Sequence, residues 1–189
     1  MEHDVARELN LHNIKEYVQL SEGKTKQLME TCIWCLVHCK HSSGVKLRVE
    51  DENNTDYYSL IWSNDKIDHE AIFRSYNKDD ATECGAEAIA LMLSIQRTEY
   101  TAVERAITTT GIDYWLGFKN RNPNYPFHRA SRLEISGIMT ESITNTISSR
   151  VKRKIKQTKP TDYTSFPIYV IIVEFSKPYA IMVLKNVNS

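Results

Sequence analysis

The sequence predicts an α/β fold of the α+β kind, with a mixed central sheet flanked by helices. From about residue 80 the hydrophobic patterns follow the order helix, three strands, helix, two strands. The strands predicted at 130–138 and 168–175 stand on either side of the second helix. They should be parallel, because such a connection makes a right-handed crossover. The continuous apolar run of 168–175 is typical of a strand that is covered on both faces.

Two regions are expected along the 189-residue chain, which is long enough for one core domain and an N-terminal extension. We expect residues 79–189 to form the core and residues 1–78 to pack on it. In the N-terminal region, residues 24–40 are predicted to be helical. The alternating residues 45–50, the polar turn Asn-Asn-Thr-Asp and residues 57–62 predict a β-hairpin.

The core elements follow from periodicity and end signals. A buried helix is predicted to start near Asp80, because Asp80 and Glu83 have capping-box spacing before an apolar run. Strands are predicted at 100–107, 112–118 and 130–138. A second helix is predicted over about 140–157, and a last strand at 179–185. The apolar stripe of the second helix is expected to be Ile143, Ile147, Val151 and Ile155.

The charge of the chain is unevenly distributed, although its net charge is zero. Residues 1–95 hold 10 basic and 17 acidic side chains, whereas residues 96–189 hold 14 and 7. A basic half fused to an acidic half suits a surface that binds a polyanion. Mutual attraction of the two halves is the alternative interpretation. The acidic half is also a candidate surface for a protein partner, and a homodimer of the neutral whole chain is the alternative.

The start of the chain and its cysteines favour a cytoplasmic protein that does not bind membranes. The first ten residues are charged and lack the apolar segment of a signal peptide. The longest apolar run, at 168–175, is too short to span a bilayer. The four cysteines do not make a disulfide framework in a chain of this size.

Two acidic residues on neighbouring predicted strands are candidate metal ligands. In the segment GIDYWLG, Asp113 points to the face opposite Ile112 and Tyr114. In RLEIS, Glu134 likewise points away from the apolar residues on either side of it. If the strands pair, the two carboxylates converge on a hard-oxygen site of the kind that Mg²⁺ or Mn²⁺ prefers.

The element order, the Gly-x-Asp of one strand and the Glu of the next resemble the core of PD-(D/E)xK nucleases over about residues 80–175. This resemblance implies that Asp113 and Glu134 bind the metal ion. Glu87, with Glu83 as the less favoured alternative, would be the first-helix acid that many members contribute to the metal site. Gln157 would be the polar catalytic residue that some members place near the end of the second helix.

The sequence departs from this family at Ser136, where members usually have a catalytic lysine. In some members the lysine is displaced to the following helix. Here Lys154 is the best substitute, because it borders the predicted buried stripe next to Ile155. The alternative is that the lysines of this helix form a solvated face that only binds phosphate.

A basic segment is predicted to contact nucleic acid, DNA rather than RNA. Six basic residues and no acidic residue fall within 150–159, whereas a solvated helix usually mixes both signs. The predicted contacts are Arg150, Lys152, Arg153, Lys156 and, on the strand, Arg132.

The expected function is therefore a Mg²⁺-dependent nuclease, in a bacterial defence or mobile-element system by analogy with the superfamily. The alternative is an inactive nuclease fold that binds nucleic acid or a protein. A weaker alternative is a zinc-stabilised module, because three cysteines and two histidines fall within ten residues: Cys32, Cys35, His38, Cys39 and His41. The helical spacing of these cysteines favours a core face instead.

Overall fold

The computed structural model describes residues 7–120 and 122–186. Five α-helices lie within these ranges: α1 (Ile14–Tyr17), α2 (Glu22–His38), α3 (His69–Ser75), α4 (Lys78–Arg97) and α5 (Ile147–Gln157). The same ranges contain eight strands: β1 (Arg7–Asn10), β2 (Val45–Glu50), β3 (Thr55–Ile61), β4 (Tyr100–Arg105), β5 (Tyr114–Phe118), β6 (Ser131–Ile138), β7 (Ile168–Glu174) and β8 (Tyr179–Lys185).

All eight strands form one mixed sheet in the order β1-β3-β2-β8-β7-β6-β5-β4. β6 and β7 are parallel, as the crossover around α5 predicted. The hairpin of β2 and β3 joins the same sheet because β2 runs parallel to β8. The predicted fold class, a mixed sheet flanked by helices, is confirmed.

The two faces of the sheet are covered by different helices. On one face α4 and α2 pack over a large core that includes Ile171 and Val173 of β7. On the other face α5 packs on the alternate residues Val170 and Ile172. β7 is therefore buried on both faces, which agrees with its continuous apolar sequence.

Both main helices begin elsewhere than predicted. α4 starts at Lys78, and the cap is the Asn77 side chain, which accepts from the backbone N–H groups of Asp79 and Asp80. The predicted Asp80 cap is wrong, because the helix already begins at Lys78 and Asp80 lies within its first turn. α5 starts only at Ile147, where Thr146 and Ser149 form a reciprocal capping box. Ile143, predicted as part of the buried stripe, is fully exposed.

The turn between β4 and β5 sets the position of Asp113. Gly111 has φ 74°, and a Cβ atom there would lie 2.1 Å from the Gln157 carbonyl oxygen. Only glycine accommodates both this backbone conformation and this close approach of the α5 end. β5 consequently begins at Tyr114 rather than at residue 112, so Asp113 lies just before the strand.

Among the described residues, no helix combines the length and the apolar composition that crossing a bilayer requires.

Candidate active site

A cavity of about 290 Å³ lies between α4 and α5, beside the free edge of β6. β5 pairs with β6 only through Ser131, Arg132 and Leu133, so β6 continues beyond the start of β5 without this neighbour. Both helices border the resulting space. Its lining includes the cationic side chains Arg105, Arg150, Arg153 and Lys154, and the acidic side chains Glu83, Glu87 and Asp113.

Asp113 is fixed to β6 through its backbone and its side chain. Its N–H donates to the Leu133 carbonyl at 2.9 Å, and its Oδ2 accepts from the Ile135 N–H at 2.8 Å. These two bonds bracket Glu134, whose side chain is buried on the same strand. The carboxyl groups of Asp113 and Glu134 are close enough that each affects the pKa of the other. The structure thus brings together the two acids that the alternation of side chains along the strands predicted as metal ligands.

The environment of this acid pair disfavours its charged form. Burial raises the pKa of Glu134 to about 8, and the neighbouring Asp113 carboxylate contributes, while Lys154 opposes the shift. Burial also raises the pKa of Asp113, although the Ile135 N–H and Lys154 offset part of that rise. Asp113 lines the cavity, and a carboxyl group with a raised pKa in a cavity is typical of a functional site.

Lys154 reaches the acid pair from α5. Its ammonium group donates to Glu134 Oε1, and its side chain is only 16% exposed. The neighbouring Val151 and Ile155 pack against the sheet, which turns Lys154 toward the cavity. The lysine therefore lies beside the acids although it comes from the helix and not from β6.

Ser136 has a different partner at this site. The Arg150 guanidinium donates to Ser136 Oγ at 3.0 Å and to Asn145 Oδ1 at 3.2 and 2.7 Å. Ser136 and Asn145 together fix the direction of Arg150, which lines the cavity. The hydroxyl group that replaces the expected lysine thus orients a cation from α5.

Glu87 lies in the same cavity but is bound to other partners. Lys24 and Arg105 each form a 2.9 Å ion pair with it, and the Tyr114 hydroxyl donates to its Oε1. Within residues 7–120 and 122–186, no group of three His, Cys, Asp or Glu side chains is arranged to hold a metal ion. The structure therefore does not bring Glu87 into one ligand set with Asp113 and Glu134.

Four of the predicted nucleic-acid contacts lie on α5. Arg150 and Arg153 line the cavity, as does the predicted catalytic residue Gln157. Lys152 and Lys156 are exposed on the same helix.

Arg132 was wrongly predicted to contact phosphate, because it has no exposed surface. Its guanidinium donates to Thr161 Oγ1, Asp162 Oδ1 and the Phe166 carbonyl. Alternation along β6 correctly predicted the face of the sheet on which Arg132 lies, but residues 159–167 cover this side chain.

The acid pair supplies donor oxygens of the kind that a divalent cation takes. Mg²⁺ commonly uses one or two carboxylates and completes its shell with water and phosphate oxygens. Asp113 and Glu134 supply two such carboxylates, and a bound cation would favour the ionised form that burial disfavours.

The cysteines of α2 lie elsewhere, in the packed interior. Cys32 and Cys35 are fully buried in the main core, and Cys39 packs partly against it. Burial raises the pKa of the Cys32 thiol.

Two cations of the site were not anticipated from the sequence. Arg105 is the last residue of β4, and Lys24 lies in the first turn of α2. Both are bound to Glu87. For Arg105 the signal is the β4–β5 register, which places it opposite Tyr114. For Lys24 no local signal exists, because the contact spans 63 residues of sequence.

No protein-family model, curated protein or solved structure matches this chain.

Proposed function

We propose that this protein is a Mg²⁺-dependent phosphodiesterase that cleaves nucleic acid, with DNA as the preferred substrate. The observation that carries the proposal is the meeting of Asp113 and Lys154, which line a cavity, with the buried Glu134. Arg150 and Arg153 provide further positive charge around the same space. Two acids that would hold a metal ion, a lysine beside them and guanidinium groups that suit phosphate form a coherent set for phosphodiester hydrolysis.

Each side chain has a distinct role in this proposal. Asp113 and Glu134 would hold the cation, which supplies an activated water and offsets charge on the phosphate when bound. Lys154 orients the attacking water and stabilises negative charge beside the acids. Arg150, already directed by Ser136 and Asn145, binds a phosphate oxygen with little loss of side-chain freedom.

The direct test is cleavage of labelled DNA by purified protein with Mg²⁺ or with EDTA. Asp113→Asn and Glu134→Gln should each lower the rate by about 10³-fold or more, because each removes a charged ligand. Glu70→Gln is the matched control, since Glu70 is an exposed acid on α3 that pairs with Arg74. Cleavage that persists in EDTA, or site variants that cleave as fast as Glu70→Gln, would refute the proposal.

A second candidate is a protein that keeps this site but binds nucleic acid without hydrolysis. The ion pair between Lys154 and Glu134 favours it, because that pair partly neutralises the buried acid without a metal ion. Calorimetry separates the two candidates. Mg²⁺ or Mn²⁺ binding that is lost in Asp113→Asn supports the hydrolase. Nucleic-acid binding with no metal binding supports the second candidate.

A further inference from the structure

The loop between β5 and β6 presents two aromatic side chains to solvent. Tyr125 is 66% and Phe127 is 67% exposed, with Pro126 between them. Together with Asn124 and His128 they line an open cavity of about 570 Å³. We call residues 119–130 the aromatic loop. Exposed aromatic rings that share one cavity are typical of a binding surface rather than of scattered surface residues.

The described backbone of the aromatic loop is held by hydrogen bonds. Tyr125 N–H donates to the Asn122 carbonyl at 2.9 Å, and His128 N–H donates to the Tyr125 carbonyl at 3.1 Å. Tyr125 therefore lies where two successive turns meet, and Phe127 lies within the second turn. At its end the loop returns onto β5, where a Cβ atom on Gly117 would lie 2.5 Å from the His128 carbonyl oxygen. A ring on a fixed backbone loses little entropy on binding.

The charge of the aromatic loop indicates the kind of ligand. Its sequence KNRNPNYPFHRA contains Lys119, Arg121 and Arg129 but no acidic residue. Arg129 pairs with Glu104 at 2.6 Å and stacks on the Trp115 ring at 4.4 Å, which joins the loop to the sheet. A sequence that combines basic residues with exposed aromatic rings suits a ligand that has both negative charge and flat faces. Unpaired nucleotides have both properties, whereas the bases of a duplex hide their faces in the stack.

We propose that the aromatic loop is a stacking platform for unpaired bases, with Tyr125 and Phe127 as its contact residues. It follows that the substrate of the candidate active site contains a single-stranded segment; this second part rests on the proposed function. β5 connects the two places, because Asp113 precedes the strand and the loop follows it. The five residues of β5, at about 3.3 Å each, put the start of the loop roughly 17 Å from Asp113, which a short single strand can cover.

The test uses fluorescein-labelled oligothymidylate and oligouridylate and measures anisotropy in EDTA, so that no hydrolysis interferes. A probe of about 20 nucleotides at about 3.4 Å each spans the separation easily. Tyr125→Ala and Phe127→Ala should each weaken binding by about fivefold to a hundredfold, the range of one base–aromatic stack. Tyr125→Phe keeps the ring and should bind as the wild type does. Tyr57→Ala is the control, because Tyr57 is an exposed tyrosine on β3 beside Lys46.

Two results would overturn the inference: wild-type protein that binds neither probe, or alanine variants that bind as tightly as Tyr57→Ala. A loop that serves a protein partner gives the first of these results. Both rings are largely exposed, so their removal should leave the fold intact, and circular dichroism checks this. The outcome is separable from the proposed function: ring-dependent binding without cleavage refutes the hydrolase alone, and cleavage without ring-dependent binding refutes the platform alone.

Discussion

Lys154 donates a hydrogen bond to the buried carboxylate of Glu134, which lies twenty residues earlier in the chain. The lysine comes from α5 and the acid from β6, so their meeting depends on how the helix packs on the sheet. When Glu134 is ionised, its attraction to Lys154 is stronger than it would be in water, because the largely buried surroundings screen it less. The same pairing places a proton donor directly beside the acid pair.

Replacing this lysine should therefore affect chemistry more than binding. Lys154→Met is expected to lower kcat for DNA cleavage by about 10²- to 10⁴-fold, the usual contribution of a positioned acid or base. Lys156→Met is the matched control, because Lys156 is exposed on the same helix. Steady-state cleavage rates of both variants give the comparison. If the two variants lose the same small factor, Lys154 contributes only general charge.

Metal affinity should depend on pH because of Glu134. A pKa of about 8, raised by burial and by Asp113, means that Glu134 retains a proton at neutral pH. A cation that binds this carboxylate must displace the proton, so Mg²⁺ affinity should rise about tenfold per pH unit below pH 8 and level off above it. Calorimetry with Mg²⁺ over this interval measures the slope and the released proton. Affinity that is flat with pH would show that Glu134 is already ionised.

Much of this architecture was predictable because it depends on local patterns. The order of helices and strands from α4 onward followed from periodicity, and the parallel β6–β7 pair followed from crossover handedness. β1, α1 and α3 were not predicted. Alternation along the strands also identified the face that carries Glu134. Boundaries were harder, since Ile143 continues the four-residue repeat of α5 although it lies outside the helix. There the capping pair Thr146 and Ser149 overrides the apolar repeat.

The remaining features depend on contacts between distant residues. Sequence could single out Glu87 as an acid in an apolar helix, but not that Lys24 from α2 would pair with it. Arg132 has the pattern of a surface cation, yet the segment after α5 covers it. In both cases the partner is too distant in sequence to be predicted from a helical turn or a hairpin. Such pairings are fixed only when the elements pack together.

Glu87 should contribute to stability rather than to catalysis. Glu87→Gln removes the negative charge that Lys24 and Arg105 share. We expect a loss of about 1–3 kcal/mol in the free energy of unfolding, the usual cost of weakening hydrogen bonds to a buried charged group. Glu83→Gln is the control, because Glu83 lines the same cavity but is exposed, and it should change stability by less than about 0.5 kcal/mol.

Urea denaturation of both variants measures the difference, and Mg²⁺ titration of the folded proteins accompanies it. The expected pattern is lower stability with unchanged Mg²⁺ affinity for Glu87→Gln. Unchanged stability together with weaker Mg²⁺ binding would instead make Glu87 a metal ligand, as the family resemblance implied.

Arg153 should contribute to the salt dependence of DNA binding without supporting the fold. It is exposed on α5 and lines the cavity, so its charge is available to phosphate. Each neutralised phosphate of duplex DNA contributes about 0.9 to the slope of log affinity against log salt concentration. Arg153→Gln should therefore reduce the slope by about 0.9 and leave the urea midpoint unchanged. Arg74→Gln, an exposed arginine on α3, should change neither quantity. Binding titrations at several salt concentrations decide, and equal slopes for the two variants would place the phosphate backbone away from α5.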